Sequence, residues 1–474
     1  MRVPLVLALA SAAVAAPLLA QRPTLTANVR QYVTVDTAAF AITNVTLIDG
    51  TGAAARRGQT VVVRNGRIES VGESSRTRPP QGAQVIDGTG HTLMPAMVGL
   101  HDHLFYMAAG GRSNQMSYTG PRLYLASGVT TIRTTGSASP YADINLGRNV
   151  NAGNTPGPRV FVTTPYLTGE GGGGTMSVAT TPEEARRFVA YWAEEGATWI
   201  KFYTNISRDA MRAAIEEGHR RGLKATGHLC SVTFREAIEL GIDDLAHGAQ
   251  TATDFIPGKQ PDRCPNGAFN AMDSLVVADG PVARSLIQLM VQRNVSMTTT
   301  QPVYEAFYQN RPVTDARTLD LMSPEVRAAY TAERAVIDTT RNYPLTAAGF
   351  QRIMAFDLAF FRAGGLLANG VDPTGNGGAL PGYGDQRGYE LLREAGFTAE
   401  EAVKVVSFNG ARVLGISDRL GSIETGKTAD LVLLRGDLTT DASVIRNVVT
   451  VFKDGVGYDS ARLINAVRGR VGVN

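Results

Sequence analysis

Between about residue 93 and residue 413 the chain alternates short apolar runs with stretches of helical periodicity, and this alternation limits the fold more than any other feature. The apolar runs read as strands over 97–103, 129–135, 159–164, 198–203, 223–228, 243–247, 295–300 and 366–372. Amphipathic stretches such as 182–195 and 207–221 lie between them. The first of these has Thr181 as N-cap, Pro182 at the first helical position and Glu183 and Glu184 in the first turn. Eight strands with intervening helices predict an α/β fold, a (β/α)8 TIM barrel. A doubly wound open sheet is the alternative. It favours a glycine-rich phosphate turn after its first strand, and His101-Asp102-His103 stands there instead.

The flanks read differently. Residues 40–50 carry β-branched alternation ending in Asp-Gly. Residues 60–72 read as a hairpin with Asn65-Gly66 as a type I′ turn, and residues 84–88 add a strand. Strand patterns return at 422–434 and 448–455. These segments predict a small β-sandwich domain built from both ends of the chain. The expected organisation is a signal peptide at 1–20, the N-terminal part of the β domain at 21–92, the barrel at 93–413 and the C-terminal part of the β domain at 414–474.

Arg2 followed by the apolar run 3–16 reads as a secretory signal, too short to span a bilayer comfortably; cleavage after Ala15 and after Ala20 both fit. The mature protein is therefore expected to be secreted or periplasmic and free of the membrane. Export bears on the two cysteines, Cys230 and Cys264. A bridge between them would close a loop of about 35 residues, worth roughly 3–4 kcal/mol in the chain-entropy model. Two free thiols remain the alternative. A net charge of +3, with no basic run interleaved with aromatics, argues against a nucleic-acid partner.

The chain holds only six histidines, so their positions carry information. Four of them, His101, His103, His228 and His247, fall at the C-terminal ends of predicted strands, where barrels of this kind place their chemistry. In a strand, residues two apart face the same way, so His101 and His103 aim both imidazoles at one point. Asp372 ends the eighth strand. Four histidines and a carboxylate suit zinc-like divalent ions. Lys201 ends the fourth strand, where a buried lysine must find an acid or shed its charge; an ion pair and a CO2-derived carbamate are both open to it. His91, before the barrel, and His219, mid-helix beside Arg220 and Arg221, read as surface or cap residues.

These residues resemble the amidohydrolase superfamily, in particular its two-metal members with a carboxylated lysine on the fourth strand. The resemblance rests on Leu93-Met94-Pro95-Ala96-Met97-Val98-Gly99-Leu100-His101-Asp102-His103, Gly128-Val129-Thr130-Thr131-Ile132-Arg133, Ile200-Lys201, Gly227-His228, Ala246-His247-Gly248 and Val371-Asp372. The block 420–431 is similar to the family's return to its β domain. The closest branch is the exported prolidase-like and imidazolonepropionase-related enzymes. Three positions depart from the family pattern: Ala96 for the usual Gly, Ala246 where Glu is common, and Thr134 where Asp is common.

The resemblance implies two divalent ions, zinc by family habit. His101 and His103 would hold the more buried one with Asp372, His228 and His247 the other, and carboxylated Lys201 would bridge them. A metal-bridging hydroxide would attack the carbonyl, and Asp372 would act as general acid–base, passing the proton to the leaving amine. The implied function is cleavage of amide (C–N) bonds in small-molecule substrates, namely dipeptides or N-acyl amino acids. Hydrolysis of a cyclic amide or lactone is the enzymatic alternative, and an inactive binding relative the non-enzymatic one. Tyr203, two residues past Lys201, is a candidate substrate donor. Arg133 is a candidate for binding a substrate carboxylate, with a salt bridge inside the barrel mouth as the competing role. The pattern is compatible with a homo-oligomer and does not specify one.

Overall fold

At Ala96 the chain passes from one sheet to another. In the computed structural model, which describes residues 23–311 and 316–472, the strand His91–Pro95 pairs antiparallel with Leu431–Arg435. One residue later Met97–Asp102 pairs parallel with Val129–Thr134. Ala96 donates its N–H to Asp430 O over 3.0 Å and Met97 donates to Gly128 O over 2.9 Å, so the switch leaves no main-chain donor stranded there. The expected signal segment lies outside the described residues.

Eight parallel strands carry the central part of the molecule: β1 (Met97–Asp102), β2 (Val129–Thr134), β3 (Thr163–Thr168), β4 (Trp199–Phe202), β5 (Lys224–Gly227), β6 (Asp244–Ala246), β7 (Ser296–Thr299) and β8 (Leu367–Asn369). Strands β3 to β8 form one sheet in chain order, while β1, β2 and the short strand Arg159–Phe161 form another. Seven of the eight lie within the runs expected from the sequence. The third differs: Val162 separates Arg159–Phe161 from β3, and β3 continues four residues past Thr164.

Main-chain pairing stops at two seams, and other bonds cross them. Past the end of β8, Asp372 N–H donates to His101 O over 2.7 Å. At the other seam Thr163 N–H donates to Thr134 Oγ1 over 3.0 Å. Strands β1, β2 and β3 are buried along their whole length, as expected where both faces of a parallel sheet are covered.

Helices follow most of the strands. Pro182–Glu194 begins with the expected Thr181 cap, and Glu184 reaches back to complete a capping box. Ser207 caps Arg208–Arg220. Among the described residues no helix is long and apolar enough to cross a membrane.

Strands from the two ends of the chain share one nine-stranded mixed sheet. Its apolar face includes Phe40, Ile42, Leu93, Leu431 and Phe452, with the rings of Phe40 and Phe452 stacked 4.9 Å apart. The expected hairpin at Asn65-Gly66 is present. Arg64 pairs with Arg67, and both turn residues have positive φ (49° and 76°), as a type I′ turn requires.

Candidate metal centre

The parallel registers set the strand ends level: Lys201 lies beside Tyr166 on one side and Thr226 on the other, and Ala246 beside Thr298. Side chains at or just past those ends therefore meet in one space. His103 Nε2 lies 3.1 Å from Asp372 Oδ1, His101 Nε2 3.6 Å from Asp372 Oδ2, and His247 Nδ1 3.8 Å from that same oxygen. The ring of His247 is 4.3 Å from that of His101 and 4.4 Å from that of His228. One ligand atom each from His101, His247 and Asp372 fits within 4.8 Å of the others.

The four histidines and Asp372 are thus gathered in one cluster, with Lys201 near enough to act electrostatically on His101, His228 and His247; all but the half-buried His228 are buried. His91 and His219 lie outside it: His91 Nδ1 is 2.9 Å from Thr89 O, and His219 Nε2 is 2.9 Å from Asp243.

The donor atoms fit metal ions. His101 Nδ1, His247 Nε2 and Lys201 Nζ are buried without a hydrogen-bond partner among the described residues. Nitrogens orphaned in this way need an occupant to offset their desolvation. His103 Nδ1 donates to Gly136 O over 3.0 Å, which turns Nε2 toward Asp372, the orientation expected of a metal-binding histidine. Only glycine fits at position 136, where φ is 97° and a Cβ would meet the Tyr166 ring at 2.4 Å.

Two of the candidate ligands, His247 (φ 77°) and Asp372 (φ 49°), occupy the left-handed region. A histidine there is uncommon and costs roughly 1–3 kcal/mol, a cost the surroundings must hold in place.

Burial governs the charge states. It pushes the Lys201 ammonium down to about 7, with Arg133 adding to the effect and Asp372 opposing it. Burial and Lys201 take His228 down to about 3, and burial holds His101 and His247 well below the usual imidazole range. These three histidines are thus neutral, the form that coordinates metal. At Asp372 burial pushes upward, but hydrogen bonds from His103 and Thr374 and the charge on Lys201 outweigh it and hold the carboxyl below its ordinary value.

Tyr203 stands at the rim, half-buried, its ring 4.9 Å from His228 and 5.2 Å from Tyr166. Burial and Asp372 raise its hydroxyl to about 12, so it remains a hydrogen-bond donor at working pH.

The reading of Arg133 as a carboxylate binder is corrected. Its side chain is fully buried inside the strands, donating through Nη2 to Asp244 Oδ2 at 2.7 Å and through Nε to Leu100 O at 2.7 Å. Its guanidinium lies 4.3 Å above the Trp199 ring. The competing role, an internal salt bridge, is the one it fills.

Among known proteins, the amidohydrolase family model matches residues 384–457. A stretch of 73 residues, 15% of this chain, is 33% identical to a 5'-deoxyadenosine deaminase of Methanobrevibacter smithii and covers 17% of that protein's length. Over nearly the whole chain the fold is similar to a putative prolidase from Bifidobacterium longum, at 25% identity and a TM-score of 0.64, with 90% of this chain and 98% of that one covered. The matched segment is amidohydrolase-like, and the fold of nearly the whole chain is prolidase-like. The fold is also similar to that of a Xaa-Pro dipeptidase solved with methionine in its active site, at 19% identity and a TM-score of 0.65, with 89% of this chain and all of that one covered.

The candidate site includes tyrosines that do not lie at the ends of the expected strands. Tyr304, on the short helix Gln301–Glu305 after β7, lies 5.5 Å from the His247 ring, its hydroxyl buried without a partner among the described residues. Tyr166 comes from the part of β3 beyond Thr164, 6.2 Å from His103. The polar-aromatic pattern Pro165-Tyr166-Leu167-Thr168 was its only sequence signal. Of the family departures, Thr134 accepts the Thr163 N–H, the bond that ties β2 to β3.

The cysteines are joined as a disulfide, Cys230–Cys264, with Cα atoms 4.9 Å apart. This settles the pairing left open by sequence.

Proposed function

We propose that this chain is an exported, two-metal hydrolase that cleaves the amide bond of dipeptides or N-acyl amino acids. One observation carries the reading: His101, His103, His228, His247 and Asp372 converge with Lys201 beside them, three buried nitrogens of the group have no partner among the described residues, and two of the six hold left-handed backbones. The similarity to prolidase-like folds supports the amide as the scissile group. We read the eight parallel strands as a (β/α)8 barrel spanning about 93–413, and the shared nine-stranded sheet as the β domain built from 21–92 and 414–474. The Cys230–Cys264 bridge supports export through an oxidising compartment.

In this reading His101, His103, Asp372, His228 and His247 would hold two divalent ions together with Lys201 as its carbamate. Lys201 is suited to that change because burial leaves a large share of it as the free amine near neutral pH, and only the free amine adds CO2. When bound, zinc-like ions supply Lewis acidity and make water a nucleophile near pH 7.

The chain's own residues do the rest. Asp372 accepts the proton of the attacking water at the oxygen facing His101 and delivers it to the leaving nitrogen, a role open to a carboxylate held ionised by its neighbours. Thr374 Oγ1 donates to Asp372 Oδ1 at 2.7 Å and fixes the carboxylate plane. The hydroxyls of Tyr203 and Tyr304 are available to donate to substrate oxygens, because their raised pKa values keep them protonated.

The test is to purify the protein with zinc and bicarbonate, count metals per chain and screen dipeptide, N-acyl amino acid, lactone and phosphoester libraries. Two metals per chain with turnover of amides is the expected result. Fewer than one metal per chain in active enzyme overturns the model.

A further inference from the structure

Beside the candidate metal centre lies a second space that the hydrolytic chemistry does not use. It is a cavity of about 260 Å3 lined by His228, Leu229, Met272, Phe269 and the Cys230–Cys264 disulfide, among others. At that size it is smaller than the roughly 300–1,000 Å3 that encloses a whole ligand, so it accepts one arm of a molecule.

No Asp, Glu, Lys or Arg lines it. Three of its polar side chains, Thr251, Thr253 and Gln250, are already engaged. Thr251 Oγ1 donates to Ala246 O at 3.0 Å and Thr253 Oγ1 to Cys230 O at 3.0 Å. Gln250 donates to Phe269 O at 3.1 Å and accepts from the Tyr308 hydroxyl at 3.0 Å. A charged group entering this space would shed its water and find no counter-charge.

The cavity's outer wall includes Cys264, Pro265 and Gly267, the end of the exposed segment 256–267, and that segment is held at several points. Besides the disulfide, Arg208 and Asp262 form a bidentate ion pair, with Nη2–Oδ2 at 3.0 Å, and Lys259 Nζ donates to Ser231 O. An exposed loop clamped on three sides next to a catalytic histidine is a built wall.

We propose that this cavity is the specificity pocket for an uncharged, apolar side chain of the amide substrate, of leucine or phenylalanine size, and that the Cys230–Cys264 disulfide fixes its outer wall. The proposal rests on the amide-hydrolase reading above and names the side chain that reading leaves open. Because the pocket abuts His228, the selected side chain belongs to a residue flanking the scissile bond.

Two dipeptide series, Gly–X and X–Gly, assayed with the zinc-loaded full chain, test it. In one series kcat/KM for X = Leu or Phe should exceed that for X = Glu or Lys by about 100-fold. Equal rates for charged and apolar X in both series overturn the proposal. Phe269→Lys should lower turnover of the Leu substrate and raise that of the Glu substrate about tenfold, a gain that mere loosening of the fold does not give. Ala268→Trp, which fills the space, should shift preference from Leu to Gly. A Leu/Glu ratio unmoved in both folded variants overturns the pocket.

Cys230→Ser/Cys264→Ser, or reduction of the wild type, should raise KM for the Leu substrate about tenfold. An unchanged KM removes the disulfide from the proposal. If neither dipeptides nor N-acyl amino acids are cleaved, the amide-hydrolase reading fails, and the pocket is then measured by calorimetry with N-acetylleucine amide against N-acetylaspartate amide. Tighter binding of the leucine compound, lost in Phe269→Lys, supports the pocket; equal binding or none overturns it.

Discussion

Arg133 Nη2 donates to Asp244 Oδ2 over 2.7 Å, and both side chains are wholly shielded from solvent. Asp244 also accepts from Thr226 Oγ1 at 3.0 Å, Ser296 Oγ at 2.8 Å and Thr298 Oγ1 at 3.0 Å, so the pair ties β2 to β5, β6 and β7 inside the strands. Removing one partner leaves a buried charge uncompensated. Arg133→Met is therefore expected to destabilise the fold by about 3–5 kcal/mol in denaturant unfolding, with Arg133→Met/Asp244→Leu recovering much of that loss. The ranking of substrates with and without a carboxylate should stay unchanged. A selective loss on carboxylate substrates would return Arg133 to the binding site.

The Arg133 pair also marks where reading the sequence stops. Strand positions were legible because the apolar runs and their caps are local, and residues ending them, such as His101, Lys201 and His228, are placed by the strand itself. His247 follows for the same reason, whereas β8 stops at Asn369 and Asp372 lies three residues beyond it, held by its N–H bond to His101 O; nothing local signals the left-handed backbone of either. A long side chain is different. Arg133 sits near a strand end, yet its guanidinium turns inward to a carboxylate 111 residues away. Tyr304 escaped because it lies on a short helix after β7 rather than at a strand end. The hairpin of Phe105–Ala108 with Arg112–Gln115 escaped because its edge residues show no sustained alternation. The cysteine pairing needed the third dimension altogether.

Lys201 gives a pH-dependent prediction whose direction follows from chemistry. Only the neutral amine adds CO2, and burial brings the amine to about 7 from its ordinary 10.5. Apoprotein incubated with zinc at fixed dissolved CO2 should therefore regain activity about tenfold faster at pH 8 than at pH 6, since the neutral fraction changes by that factor across the window. Lys201→Met should bind less than two metals per chain and show no CO2 dependence. A CO2-dependent recovery in Lys201→Met would refute the carbamate.

Asp372 separates metal holding from proton transfer. Its carboxylate faces His101, His103 and His247 within 3.8 Å and accepts from Thr374. Asp372→Asn keeps an oxygen ligand and the size of the group while removing the base. It should retain metal, measured by elemental analysis, and lose about 100- to 10,000-fold in kcat. Wild-type turnover in that variant would sink the assignment.

Lys453 offers a test far from the site, where Arg159 joins the nine-stranded sheet to the parallel strands through Asp430 and Asp454. Lys453 is only 8% exposed, and burial, helped by Arg159 and opposed by Asp454 and Asp430, takes its ammonium from 10.5 down to about 8. Between those two values the native chain has released a proton that the unfolded chain still holds, so stability rises with pH across the window. Below about pH 8 both states are protonated and the full cost of burying the charge remains, of order 3 kcal/mol. Lys453→Met removes that cost. The variant should unfold at higher denaturant than wild type at pH 7, and the difference should shrink steadily as pH rises from 8 toward 10.5. Because alkaline titration elsewhere acts on both proteins, the difference between them isolates Lys453, and a gap that stays constant across the window would show that its ammonium is not buried at this junction.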